Sequence, residues 1–94
     1  MASVKSIENR VFRVEGFAIR ILYETGQDVR SDRRGLKPYP FERQAKNSMN
    51  VKSWIDHRFR TTYQGFGVVV VTADGRQAHG NMLLATVRDT YLED

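Results

Sequence analysis

Val51-Lys52-Ser53-Trp54-Ile55-Asp56-His57-Arg58-Phe59-Arg60-Thr61-Thr62-Tyr63 and, one turn later, Phe66-Gly67-Val68-Val69-Val70-Val71-Thr72 form the stretch that decides the fold. In its first part Val51, Trp54, Ile55, Phe59 and Thr62 fall at i, i+3, i+4, i+8 and i+11, so one apolar stripe runs along a helix over 51–63. Asn50 offers an N-cap acceptor, and Gln64-Gly65 puts a glycine just past the expected C-terminus. The opposite face displays Lys52, Asp56, His57 and Arg60, with Arg58 at the boundary. The second part is a β-strand by composition, because β-branched side chains fit a pleated surface better than a helix. Four consecutive valines without polar alternation imply a strand covered on both faces, central in its sheet with the helix on one side.

Working outward, Asp74-Gly75 is the strongest hairpin signal in the chain, and Arg76 to His79 is expected to pair back across it. Past Gly80, Asn81 is a candidate cap for a final segment in which Leu84, Val87 and Tyr91 lie at i, i+3 and i+7. A helix within 82–92 is the expectation, with a strand as the alternative because Thr86, Val87 and Thr90 are better strand formers. Upstream, residues 11–23 alternate with period two, but Phe12 and Val14 share one parity while Phe17, Ile19, Ile21 and Tyr23 share the other. Gly16 therefore has to absorb one residue, by a bulge or by a tight turn between two short strands. Glu24-Thr25-Gly26-Gln27 is turn-prone, and Asp28-Val29-Arg30-Ser31 is expected to return as a short polar edge strand.

Residues 31–50 read as a long basic connector, with Gly35, Pro38 and Pro40 as breakers. Tyr39 and Phe41 would anchor it to the body, with base stacking as their alternative role. Phe41 to Lys46 could form one or two helical turns behind Pro40. The expected whole is a small single α+β domain over 1–94, with an antiparallel sheet of about four strands on one main helix (51–63) and a second helix near the end.

The net charge is +4, from 15 Lys and Arg against 11 Asp and Glu, and it is unevenly placed. Residues 1–29 sum to zero, 61–94 to −2, and 30–60 carry nine cations against three anions. A positive field of that kind attracts polyanions through counterion release, or speeds encounter with an acidic protein partner. The expectation is a small non-enzymatic basic module. Arg30, Arg33, Arg34, Lys37, Arg43 and Lys46 would contact nucleic-acid phosphates, with Lys52 and Arg60 extending the footprint along the helix. Within this set Arg30-Ser31-Asp32-Arg33-Arg34-Gly35 could clamp phosphates bidentately, although Asp32 competes for the same arginines. The alternative is a protein-interaction or assembly module without a nucleic-acid role, because ten aromatic rings and a weakly charged strand exceed what one small core readily covers.

Other chemistries find little footing. There is no cysteine, so disulfides and thiolate chemistry are out, and no apolar stretch reaches the length of about 18 residues that a membrane span needs. The start carries no secretory pattern, which makes a cytoplasmic location the expectation. His57 and His79 are the only imidazoles, without the spacing of a zinc or calcium site or of a hydrolytic elbow, so no metal, cofactor or catalytic residue is expected. Gly65-Phe66-Gly67 lacks the third glycine of a dinucleotide fingerprint and precedes a strand where a helix should begin.

Overall fold

The computed structural model describes residues 2–30 and 32–92. The chain opens with a helix, α1 (Val4–Glu15). Ser3 caps it: the Ser6 amide donates to Ser3 Oγ at 3.2 Å and the Ser3 amide donates to Ser6 Oγ at 3.1 Å. Val4, Ile7, Val11 and Val14, at i, i+3, i+7 and i+10, are its buried stripe, while Phe12 is 47 % exposed. This corrects the reading of residues 11–15 as a strand, since period-two alternation would have put Phe12 and Val14 on one face. Gly16 is neither a bulge nor a hairpin turn. It ends α1 at φ 84°, its amide donating to the Phe12 carbonyl at 3.0 Å.

Beyond that stop, β1 (Ala18–Tyr23) pairs antiparallel with β2 (Phe66–Val71), in a register from Ala18 opposite Val71 to Tyr23 opposite Phe66. Among the described residues the expected four strands are two. The Asp28–Ser31 segment and the Arg76–His79 segment each contribute one isolated bridge, Asp28 to Leu22 and Gln77 to Val71, and Ser31 lies outside the described residues. The Asp74-Gly75 turn does form, with the Thr72 amide donating to the Arg76 carbonyl at 2.8 Å. Because β2 has no full neighbour on that edge, Val70 alone of the four valines is buried, and the expected cover on both faces is missing. Tyr91 fastens the far end of the ladder, its hydroxyl accepting from the Ala18 amide and donating to the Val71 carbonyl.

The main helix runs as expected but with a change of winding: α2 (Val51–Trp54) passes into a π-helical turn (Ile55–Phe59) and then α3 (Arg60–Thr62). The Arg60 amide donates to the Ile55 carbonyl, five residues back. The wider turn shifts the buried set from the expected stripe to Val51, Trp54, Phe59 and Tyr63, leaving Ile55 and Thr62 half-buried. Asn50 caps as expected, its Oδ1 accepting from the Ser53 amide at 2.8 Å.

The 32–50 segment has no helical turn, so the expected helix at 41–46 is absent. Its carbonyls take over instead. The final helix, α4 (Leu84–Asp89), has Leu83 rather than Asn81 at its N-cap and no side-chain cap; the Leu84 and Ala85 amides donate to the Met49 and Asn47 carbonyls at 2.8 and 3.3 Å. Phe17, Trp54, Phe59, Leu84 and Val87 are fully buried where the elements meet, with the Phe17 and Trp54 rings edge to face at 5.1 Å.

Candidate functional site

Two polar constellations stand out, one at each end of α1. At its C-terminal end Glu15 is completely buried, and its carboxylate oxygens are shared between four donors from the connector, the π-helical turn and α4. Oε2 accepts from the Tyr39 hydroxyl at 2.5 Å and from Arg58 Nη1 at 2.6 Å; Oε1 accepts from the Ala45 amide at 2.9 Å and from Arg88 Nη2 at 3.4 Å. Arg88 also donates through Nε to the Glu15 carbonyl and through Nη1 to Asn47 Oδ1. Arg58 reaches the Arg43 carbonyl at 2.6 Å and lies 4.5 Å over the Phe41 ring. Burial, and then the adjacent Glu15 carboxylate, push the Tyr39 hydroxyl far above the usual phenol range. Burial pulls both guanidinium pKa values down; at Arg58 the Tyr39 oxygen and Glu15 outweigh it, whereas at Arg88 they do not. Every acceptor position of the carboxylate is used, so this network locks the connector onto α1, the π-helical turn and α4. Tyr39 thus takes the anchoring role.

The other end is open. Tyr23 and Phe66, the last cross-strand pair of the ladder, stack at 6.2 Å with 29° between their planes. The Arg33 guanidinium lies 5.0 Å from the Phe66 centroid and 5.7 Å from that of Tyr23, and its Nη1 donates to the Tyr23 hydroxyl at 3.3 Å. Arg33 is held there by its backbone, whose carbonyl accepts from the Val4 amide at 2.9 Å. Beside this platform lies a cleft of about 230 Å³ lined by Glu24, Arg60, Tyr63, Gln64, Gly65 and Phe66. The Tyr63 hydroxyl is buried without a hydrogen-bond partner among the described residues, and burial pushes its pKa up to about 12. A second cleft, about 280 Å³ and mostly apolar, lies between α1 and Pro38-Tyr39 with Arg10 in its wall.

The eight cations expected to contact phosphate fall into groups. Arg33 and Arg60 meet around Phe66. Arg43 and Lys46 lie on the connector at the Glu15 end, where Arg58 donates to the Arg43 carbonyl and the Ala45 amide donates to Glu15. Lys52 sits near the start of α2, its amide bonded to the Gly80 carbonyl. Arg34 and Lys37 are exposed between the two ends. Arg30 pairs with Asp32 at 3.0 Å, and Arg60 stands 4.0 Å from Asp56; both pairs are exposed and loosely held. Sequence reasoning missed Tyr23 and Phe66 as a platform, because both stood as strand residues and only the register puts them side by side at the ladder's end. It also missed Glu15, for which burial is the signal.

His57 and His79 are exposed, and among the described residues no three His, Asp or Glu side chains gather as metal ligands would. Among the described residues no helix is long and apolar enough to cross a membrane. Comparison with protein-family models, with curated proteins and with solved structures finds no match.

Proposed function

We propose that this chain is a non-enzymatic module that binds nucleic acid carrying unpaired bases, with the Tyr23–Phe66–Arg33 platform as the base-contacting surface. The observation that carries the reading is the guanidinium of Arg33 held over an accessible aromatic pair, at the end of the chain segment with the greatest excess of cations. Unpaired bases stack on aromatic rings and on guanidinium planes, and neighbouring cations hold the backbone. Arg34, Lys37 and Arg60, all exposed, would contact phosphates, and Arg43 and Lys46 on the connector would extend the contact. An acidic protein would meet the same cations but has no use for a stacking platform.

Fluorescence anisotropy with a labelled single-stranded octamer tests this. Three to six phosphate contacts, at about 0.7 each, give a slope of log affinity against log salt of about −2 to −4. Arg33→Ala with Arg60→Ala should weaken binding more than Arg43→Ala with Lys46→Ala. No binding near 50 mM salt at tens of micromolar protein ends the proposal.

A second reading, self-association, is favoured by one surface: Phe12 and Leu92 are 47 % and 71 % exposed, and Phe12 packs edge to face on Tyr91 at 5.5 Å. Light scattering over a hundredfold range of concentration decides it, since a strict monomer removes this reading.

A further inference from the structure

Beside the stacking platform, the cleft lined by Glu24, Arg60, Tyr63, Gln64, Gly65 and Phe66 carries a feature that phosphate binding does not explain. Glu24 is exposed and forms no ion pair among the described residues, although Arg60 lines the same cleft. A free carboxylate in a surface that attracts polyanions opposes binding, unless a base uses it. We infer that this cleft reads guanine in a bound single strand, with Glu24 as the specificity-determining acceptor; the inference rests on the nucleic-acid reading above.

The chemistry singles out one base. A carboxylate is acceptor only, so it matches an edge with two adjacent N–H donors. Guanine offers such a pair, N1–H beside the N2 amino group. Adenine and cytosine each set a ring-nitrogen acceptor beside their single amino donor, and thymine and uracil flank one N–H with two carbonyls. Arg60, 69 % exposed at its side chain and only 4.0 Å from Asp56, is free to turn toward the O6 and N7 acceptors of the same base. The base plane would rest on the Arg33–Phe66–Tyr23 stack. Tyr63, 4 % exposed, is part of the same wall.

The test uses the full chain and four thymine DNA octamers carrying one central guanine, adenine, cytosine or hypoxanthine, with anisotropy as the readout. Wild type should bind the guanine octamer about tenfold more tightly than the adenine and cytosine octamers. Hypoxanthine, which lacks the N2 amino group, should fall between. Glu24→Gln should cut the guanine preference about threefold or more, and with Arg60→Ala added should erase it to within about twofold, while Glu24→Gln alone should bind an all-thymine octamer at least as tightly as wild type, because a repelling charge is gone. That pair of opposite changes separates lost recognition from lost folding. If all octamers bind equally, or if Glu24→Gln keeps the preference, the guanine assignment is overturned while the nucleic-acid reading stands. If none binds, both fall. Guanosine monophosphate binding as tightly as the guanine octamer would overturn the assignment to a strand.

Discussion

Glu15 sits at 0 % exposure with four donors on two oxygens, and its two arginines keep only 19 % and 12 % of their side-chain surface. Removing one member of such a group leaves uncompensated charge in a poorly solvated place. Glu15→Gln should therefore destabilise the fold by about 3 kcal/mol, the low end for a buried pair, because both guanidiniums retain some water. Chemical denaturation measures it. Tyr39→Phe removes one donor to the same carboxylate and should cost about 1.5 to 3 kcal/mol. Tyr63→Phe should behave oppositely: its hydroxyl is buried without a partner among the described residues, so its loss should be neutral or stabilising in the free protein. Glu8 shows the reverse balance to a stabilising charge. It accepts from the Ile21 amide at 3.2 Å, but burial outweighs that bond and raises its pKa above the ordinary glutamate range. A carboxyl whose pKa is higher folded than unfolded contributes stability that is full below the unfolded value and lost as the pH rises through the folded one. Glu8→Gln keeps an acceptor without the charge. Its Tm should exceed that of wild type at pH 7, with the difference vanishing at about pH 4.

At the scale of elements, the π-helical turn makes a sharp prediction. Uniform α winding would bury Thr62 and turn Tyr63 aside, whereas the wider turn buries Phe59 and Tyr63 at 0 % and 4 % exposure. Phe59→Ala and Tyr63→Ala should each cost about 3 kcal/mol or more, and Thr62→Ala within about 0.5 kcal/mol. Equal costs at Thr62 and Tyr63 in urea melts would contradict the register. The main helix, β2 and its hairpin turn, the final helix and the anchoring of Tyr39 were all legible in the sequence, because each rests on local signals: an N-cap Asn50, a run of valines, Asp74-Gly75 and an aromatic between prolines. The first helix was not. Val11-Phe12-Arg13-Val14 satisfies both periods over four residues, and only Val4 and Ile7, read together with Ser3 as a cap, favour 3.6. Strand count also escaped, since whether a hairpin arm extends past one bridge depends on what packs beside it. Of the candidate site, composition revealed the cations but not their partners. The platform depends on Tyr23 meeting Phe66 across 43 residues of chain, which pairing alone decides.

The whole molecule has a Cα radius of gyration of 12.5 Å, matching the value of about 12.4 Å expected for a compact chain of this length. Its central cations are distributed over residues 30–46 and both halves of the main helix, with carboxylate pairing confined to Arg30, Arg58 and Arg60 among the described residues of that third. Such a track suits a strand better than a single phosphate. The Glu15 lock at one end is rigid and fully satisfied, while the Tyr23–Phe66 end keeps free polar groups, so ligand should be felt there first. An ¹⁵N-resolved NMR titration of the intact chain with a single-stranded octamer at 50 mM salt tests this most directly. The largest amide shifts should fall on residues 23–26, 33–34 and 60–67, with smaller changes at 43–47. Shifts confined to 43–47 and 52, or to residues around Phe12 and Leu92, would contradict the account.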